Sequence, residues 1–190
     1  MKKVFSFLVL ALLSTSLFAQ TTWNVDPAHA RLGFIINHMG ISDVDGIFKK
    51  FDVTATAGKA DFSDAVFQLS ADVNSIDTEI EMRDNHLRNA DFFDVEKYPK
   101  LTFKSTSIKP VSKNKYKVTG DLTLKGVTKP VTMDLWYRGT IENAQSKTTN
   151  SGFQLTGVLK RSDFNLGTQF PSAMLSDEVQ IKADGEFIKK

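Results

Sequence analysis

Apolar and polar residues alternate along most of the chain, and a period of two is typical of a β-strand with one face on a core. Eight segments show this pattern: 31–38, 51–57, 67–73, 101–104, 116–124, 131–137, 153–161 and 179–187. One apolar and one polar face per strand suit an antiparallel sheet that has water on one side. We therefore predict an all-β protein with eight antiparallel strands.

Eight such strands can close into a barrel or divide between the two sheets of a sandwich, and periodicity does not separate these folds. Small residues recur on the predicted inner faces, among them Ala55, Ala71, Gly120 and Gly157. They could leave a cavity, or they could fit a taper or a tight bend. We favour the cavity, because a barrel of about eight strands can hold one small ligand.

Residues 77–94 interrupt the alternation with a charged stretch that ends in a pair of phenylalanines. Thr78 followed by Glu81 fits a capping box, and Asp77 is a competing N-cap, so a helix is expected over about residues 79–89. Its apolar side is narrow, with Ile80 and Leu87 one above the other. We therefore predict a short helical insert that lies across one end of the barrel with these two residues facing inward.

Four basic or imidazole side chains are candidates to bind a polar head group. Arg83 and His86 lie on the insert, where arginine suits a phosphate or carboxylate. His38 ends an apolar strand face and should point inward near a rim, although a lone inward histidine is as often a satisfied core residue. Arg161 falls on an inner strand face, where it needs Asp163, Asp26 or a ligand as partner. For Arg88, on the insert, pairing with nearby acids is the favoured interpretation.

An apolar chain inside the barrel would contact large inward side chains and the apolar residues of the insert. The predicted contacts with such a tail are Phe34, Ile36, Leu87, Phe92, Phe93, Phe103, Leu122, Met133, Leu155 and Phe164.

Catalytic and metal motifs are not evident in the sequence. The three histidines are not spaced as a metal-binding pair, and the chain has no cysteine. No nucleophile elbow, zinc-protease helix or glycine-rich phosphate loop occurs. We therefore predict no catalytic residue, no metal and no cofactor, and a protein that is not an enzyme.

The first residues have the pattern of a secretory signal peptide. Lys2 and Lys3 precede an apolar run over 4–13, which is shorter than the roughly 20 residues that span a bilayer, and Ala19 offers a cleavage site. We expect a signal peptide over 1–19 and one domain over 20–190. Removing the two lysines balances the basic and acidic residues, so nucleic acid is not an expected partner. No later apolar run is long enough for a transmembrane segment.

Several motifs closely resemble the YceI-like family of polyisoprenoid-binding periplasmic proteins. The resemblance covers nearly all of residues 20–190, and its motifs are Trp23-Asn24-Val25-Asp26-Pro27-Ala28-His29, Ser75-Ile76-Asp77-Thr78, Arg83-Asp84-Asn85-His86-Leu87-Arg88, Asp91-Phe92-Phe93-Asp94-Val95, Tyr98-Pro99, residues 120–131 and Arg161-Ser162-Asp163-Phe164. Two positions depart from it: Ala30 replaces a usual Ser or Thr, and Asn165 replaces a common Gly.

The resemblance implies an extended lipocalin-like antiparallel barrel that holds a polyprenyl or fatty-acyl tail, with the head near the mouth. It also implies a periplasmic location, and homodimers occur in the family. Our first hypothesis is a carrier or sequestering protein for such a lipid. The alternatives are an enzyme that uses His38 or His86 as acid–base, and a barrel with a filled core that acts as a stress-response interaction partner.

Overall fold

The computed structural model describes residues 20–190, so the predicted signal peptide lies outside the described residues. The elements are β1 (Thr21–His38), β2 (Ser42–Phe48), β3 (Phe51–Ala57), β4 (Val66–Asp72), β5 (Ile76–Asp77), α1 (Glu81–Arg88), β6 (Lys100–Ser112), β7 (Lys115–Leu124), β8 (Val127–Glu142), β9 (Thr149–Lys160) and β10 (Leu175–Lys189). Short 3₁₀-helices cover Val73–Ser75 and Arg161–Phe164.

The strands form one antiparallel sheet that closes on itself through the pairing of β10 with β1. On its other edge, β1 pairs with β3 near its start and with β2 near its end, so β2 and β3 act as one interrupted strand. β4 and β5 pair with β3 and β2 in the same way. Counted like this, the ring has eight strands. The predicted eight-stranded antiparallel barrel is confirmed, and the sandwich alternative is wrong.

Two parts of the wall were not apparent from the alternation. β1 begins ten residues earlier than the predicted segment, because a bulge between Val25 and Ala30 breaks its period. β2 was missed because Ser42 and Gly46 interrupt its inward face, where only Val44 and Phe48 are apolar. A Cβ on Gly46 would lie within 2.2 Å of the Phe34 ring, so this position accommodates a neighbour and adds no apolar side chain of its own.

One end of the barrel is filled by aromatic side chains around Phe62, which is only 2% exposed. Its ring centroid lies 5.3 Å from that of Trp23, 5.0 Å from that of Tyr137 and 4.9 Å from that of Phe153. The loop that carries Phe62 is tied to the wall, because the Tyr116 hydroxyl donates to its main chain. We call this the Phe62 end.

The opposite end, where β1 ends and β10 begins, is covered by α1 and by the loops 89–99 and 165–174. The Lys125 ammonium joins the two loops by donating to the carbonyl oxygens of Ala90 and Asn165, both at 2.9 Å. Asn165 adopts the left-handed conformation, with φ of 56°, which asparagine tolerates. The helical insert therefore caps one end as predicted, and we call this the α1 end.

The predicted capping box is wrong, although the helix itself is present. Ile80 is the N-cap residue and makes no side-chain cap, whereas the Thr78 hydroxyl donates to Asp84 inside the following helix. Ile80 is 50% exposed, so only Leu87 of the two predicted inward residues faces the interior. Within residues 20–190, no helix has the length and apolar character needed to cross a membrane.

Candidate ligand-binding cavity

A cavity of about 610 Å³ occupies the barrel between its two ends. This volume falls within the usual range for small-molecule sites, roughly 300–1,000 Å³. Large apolar residues from the inward faces of the strands form most of its wall. All ten residues predicted to contact a tail border it: Phe34, Ile36, Leu87, Phe92, Phe93, Phe103, Leu122, Met133, Leu155 and Phe164. Their contact with a ligand remains a prediction.

The small inward residues have a more mixed role than the sequence suggested. A Cβ on Gly157 would lie 2.1 Å from the Met133 sulfur, and one on Gly120 would lie 2.5 Å from the Phe103 ring. These glycines therefore make room for large side chains on the adjacent strands. Ala183, in contrast, borders the cavity directly.

The cavity reaches the surface at the α1 end, where exposed residues border it. His38 at the end of β1, Ser42 at the start of β2 and Met174 before β10 are all exposed and all line it. His38 therefore lies at the rim, where its position in the strand predicted it.

Arg83 presents its guanidinium to the cavity from the third position of α1. Its Nε donates to the Thr78 hydroxyl at 2.7 Å, and its Nη2 donates to the Thr78 carbonyl at 2.6 Å. No carboxylate among residues 20–190 lies within ion-pair distance of it. The side chain is half-buried at the mouth. The two acceptors that hold its guanidinium there, the hydroxyl and the carbonyl of Thr78, are both neutral.

His86 belongs to an aromatic group that borders the same mouth. Its ring meets that of Phe92 edge-on at 5.1 Å and that of Phe170 at 6.0 Å, while Phe92 and Phe170 stack on each other. Its Nε2 lies 3.3 Å from the Asp91 carboxylate, and its side chain is 44% exposed. The imidazole is therefore accessible to solvent and to the cavity.

Arg161 also borders the cavity, but its hydrogen bonds are already made within the protein. It is 5% exposed and donates to five main-chain carbonyls, those of Leu166, Gly167, Phe170, Leu175 and Ser176. Since a guanidinium has five N–H donors, none is left for a head group.

The acidic partners predicted for two arginines are wrong. Asp163 pairs with Lys129 and Asp26 with His29, so neither contacts Arg161. Arg88 donates to the carbonyls of Asn74 and Ile76 and to the Asn85 side chain. Both arginines therefore hold chain segments in place through neutral oxygens.

Among the described residues, the one group with metal-ligand potential lies where the bulge of β1 faces β10. The nearest ligand atoms of Asp26, His29 and Glu186 lie within 4.8 Å of one another. The His29 Nδ1 is 2.8 Å from the Asp26 carboxylate. This hydrogen bond lowers the pKa of Asp26 and raises that of His29. The Asp26–His29 ion pair accounts for the close approach of these two residues.

Three residues at the mouth were not singled out by sequence reasoning as parts of the site. Thr78 was interpreted as a helix cap, Asp84 only as one of the acids that could pair with an arginine of the insert, and Phe170 lies in a loop without periodicity. The spacing of Thr78 and Asp84 is not a standard capping pattern, so the local sequence carried no signal for their contact.

The model for the YceI-like domain matches residues 23–187. The chain belongs to the YceI-like family. This confirms the resemblance drawn from the motifs. The UPF0312 protein of Staphylococcus aureus strain N315 is 36% identical over 171 residues, which cover 88% of this chain and 97% of that protein.

Solved structures of other proteins have the same fold. The crystal structure of BcnA from Burkholderia cenocepacia matches with a TM-score of 0.74 and 31% identity, over 86% of this chain and 98% of that one. A domain from Saccharophagus degradans matches with a TM-score of 0.68, over 89% of this chain and 98% of that one. It is 17% identical, so that likeness concerns the fold alone.

Proposed function

We propose that this YceI-like protein is an exported carrier or sequestering protein that holds a long-chain amphiphile, a polyisoprenoid or fatty-acyl lipid, in its barrel. The tail lies in the cavity and the head at the α1 end. The observation that carries this proposal is an apolar cavity that ends at the Phe62 cluster on one side and at Arg83, His86 and His38 on the other.

The energetics of burial favour a long apolar tail as the main source of affinity. Each buried CH₂ contributes about 0.8 kcal/mol, so the length of the tail dominates binding. Phe103, Leu122, Met133 and Leu155 face the cavity from neighbouring strands of its wall. A chain-shaped ligand contacts them all at once, whereas a small polar molecule would leave them without a partner.

The groups at the mouth favour a head that carries negative charge. Arg83 has no carboxylate partner among residues 20–190, and the imidazoles of His86 and His38 are both exposed. Arg161 takes no direct part in our proposal, because its donors are used by main-chain carbonyls. It shapes the mouth by holding the loop 165–174.

The likeness to known proteins supports a lipid as the ligand class. The Saccharophagus degradans domain with the same fold is a polyisoprenoid-binding domain. Export to the periplasm and the absence of catalysis are also part of the proposal. The first rests on the signal-peptide pattern of residues 1–19, and the second on the lack of a catalytic motif. Homodimerisation follows from the family resemblance.

The proposal is tested by expressing the full chain with its own N-terminal segment, purifying the exported protein and analysing its organic extract by mass spectrometry. We expect a long-chain species that is bound in an amount comparable to the protein and is recovered unchanged after incubation. Recovery of no such species, together with no binding of added palmitate or geranylgeraniol, would overturn the proposal.

A pair of variants ties the bound lipid to the cavity. Ala183→Trp places a large ring inside the cavity, whereas Lys182→Trp places the same ring on the exposed outer face of the same strand. We expect the first variant to lose the lipid and the second to retain it. Equal lipid content in the two variants would place the ligand outside the barrel.

A further inference from the structure

Asp84 is a buried acid with an unusual environment. It is 6% exposed, and no lysine, arginine or histidine among residues 20–190 lies within ion-pair distance of it. Its Oδ1 accepts hydrogen bonds from the main-chain N–H of Thr78, at 2.9 Å, and from the Thr78 hydroxyl. Burying a carboxylate is costly unless it is hydrogen-bonded, and here both of these bonds come from Thr78.

The contact with Asp84 sets the direction of the Thr78 hydroxyl. A hydroxyl has one proton to donate, and an ionised carboxylate only accepts. The proton therefore points to Asp84, which leaves the lone pairs of Oγ1 for the Nε–H of Arg83 at 2.7 Å. The carbonyl of Thr78 accepts from Nη2 of the same guanidinium at 2.6 Å. Thr78 thus holds Arg83 at two points.

The remaining part of the guanidinium is available at the mouth. Within the part of the chain that the structure describes, no acceptor contacts Nη1 of Arg83. The guanidinium of Arg161, which borders the same cavity, has every donor occupied by carbonyls. Of the two arginines that border the cavity at the α1 end, Arg83 is therefore the one whose positive charge can meet a ligand.

We infer that Thr78 and Asp84 are positioning residues that hold the Arg83 guanidinium in the mouth and so make this protein select amphiphiles with an anionic head, a carboxylate or a phosphate. The inference rests on the proposed function, because it concerns the head of a ligand whose tail fills the cavity. Thr78 and Asp84 act through Arg83 and do not themselves contact the ligand.

The test compares three probes that share one tail and differ in the head: hexadecanol, palmitate and hexadecyl phosphate. Affinities are measured by displacement of a fluorescent fatty acid at about pH 8, where an ordinary histidine is neutral. We expect the wild type to bind the two anions at least about tenfold more tightly than the alcohol, the size of a charge-assisted hydrogen bond. Arg83→Gln should abolish this preference.

Substitutions at position 78 separate positioning from simple packing. Thr78→Val keeps the shape but loses the hydroxyl, and we expect the preference for an anion to fall to within about threefold. Thr78→Ser keeps the hydroxyl and should retain the preference. Hexadecanol should bind all variants about equally, because its tail contacts do not change. In the double variant Arg83→Gln/Thr78→Val we expect no further loss beyond Arg83→Gln, since the two residues act as one unit.

The outcomes separate the two proposals. Full preference for anions in Thr78→Val would overturn the positioning role. Equal binding of all three probes by the wild type would overturn selection of an anion and leave the carrier function intact. Failure of all three to bind, together with no binding of geranylgeraniol and no lipid in the organic extract, would contradict the carrier function itself. Circular dichroism and thermal unfolding of each variant show whether it folds, and Thr78→Ser is the matched control for stability.

Discussion

The rings of Phe92 and Phe170 stack with their centroids 5.4 Å apart and their planes inclined by 18°. Phe92 lies in the loop that follows α1, and Phe170 in the loop between β9 and β10. Both border the cavity, so this contact joins the two loops that cover the α1 end. Gly167 permits the approach, since a Cβ there would lie 2.5 Å from the Phe92 ring.

We predict that Phe170→Ala accelerates ligand exchange more than it lowers stability. Phe170 is half-buried, and its loss removes the stacking contact between the loops while Arg161 still holds the loop 165–174. Stopped-flow displacement of a fluorescent fatty acid should show a dissociation rate raised about tenfold, the effect of losing roughly 1.4 kcal/mol of contact. Phe170→Leu, which keeps an apolar side chain, should lie between wild type and alanine. An unchanged rate in both would show that the ligand leaves elsewhere.

Phe62→Ala should strongly destabilise the barrel. Its ring is nearly fully buried among Trp23, Tyr137 and Phe153, and a phenylalanine truncated in a core costs about 3–5 kcal/mol. Urea unfolding followed by circular dichroism measures the change in the free energy of unfolding. Val158→Ala, on the exposed outer face of β9, is the control and should change it by less than about 0.5 kcal/mol. A loss below about 1 kcal/mol for Phe62→Ala would show that this end is loosely packed.

Arg161→Met should cost at least about 3 kcal/mol of stability, because it leaves buried carbonyls without their donors. Arg161→Lys should not restore it, since an ammonium cannot reach acceptors arranged around a planar guanidinium. The measurement is the midpoint and slope of urea unfolding. Arg138→Ala, which removes an exposed cation over the Trp136 ring, is the control, with an expected cost of about 0.5–1 kcal/mol. Full stability of Arg161→Lys would contradict the structural role.

The Asp26–His29 pair should make stability depend on pH near neutrality. The pKa of His29 is raised by its hydrogen bond and attraction to Asp26, so its contribution is complete below the unfolded pKa of about 6.5. That contribution is lost as the pH rises through the folded pKa. The pKa of Asp26 is lowered, so its contribution is present above about pH 3.9 and is lost as the pH falls through its folded value.

The pair therefore contributes most between about pH 4 and 6.5. His29→Gln should flatten the fall in melting temperature between about pH 6 and 8 that the wild type shows. Thermal unfolding in buffers of constant ionic strength measures this. His38→Gln is the matched control, because His38 lies at the mouth and has no carboxylate partner among residues 20–190. An identical pH profile for His29→Gln and wild type would show that the pair contributes nothing.

The alternation of apolar and polar residues predicted much of the fold. Because successive residues of a strand face opposite sides, Phe34, Leu122 and Leu155 could be placed inside from the sequence alone. The pattern of apolar residues in the insert also predicted its place at an end of the barrel, because its apolar side was too narrow for a helix in the core. The alternation did not predict β2, where Gly46 leaves room for the Phe34 ring and contributes no apolar side chain of its own.

The polar part of the candidate site could not be derived in this way. Arg161 looked like a ligand-binding residue because its strand position pointed inward. Only the fold brings the loop 165–174 and the first two residues of β10 to it, and these supply the five carbonyls that occupy its donors. Thr78 looked like a helix cap, and only the path of the chain into α1 brings its hydroxyl to Asp84.

The sequence by itself determined that the chain is an antiparallel all-β protein with an apolar interior and a charged insert, because these properties follow from local periodicity and composition. It also placed the chain in the YceI-like family through its motifs. The tertiary structure decided which end is filled, how large the cavity is, and which arginine remains available at its mouth. Those properties depend on contacts between residues far apart in the chain, where a hydrogen-bond acceptor for one side chain is supplied by the backbone of another segment.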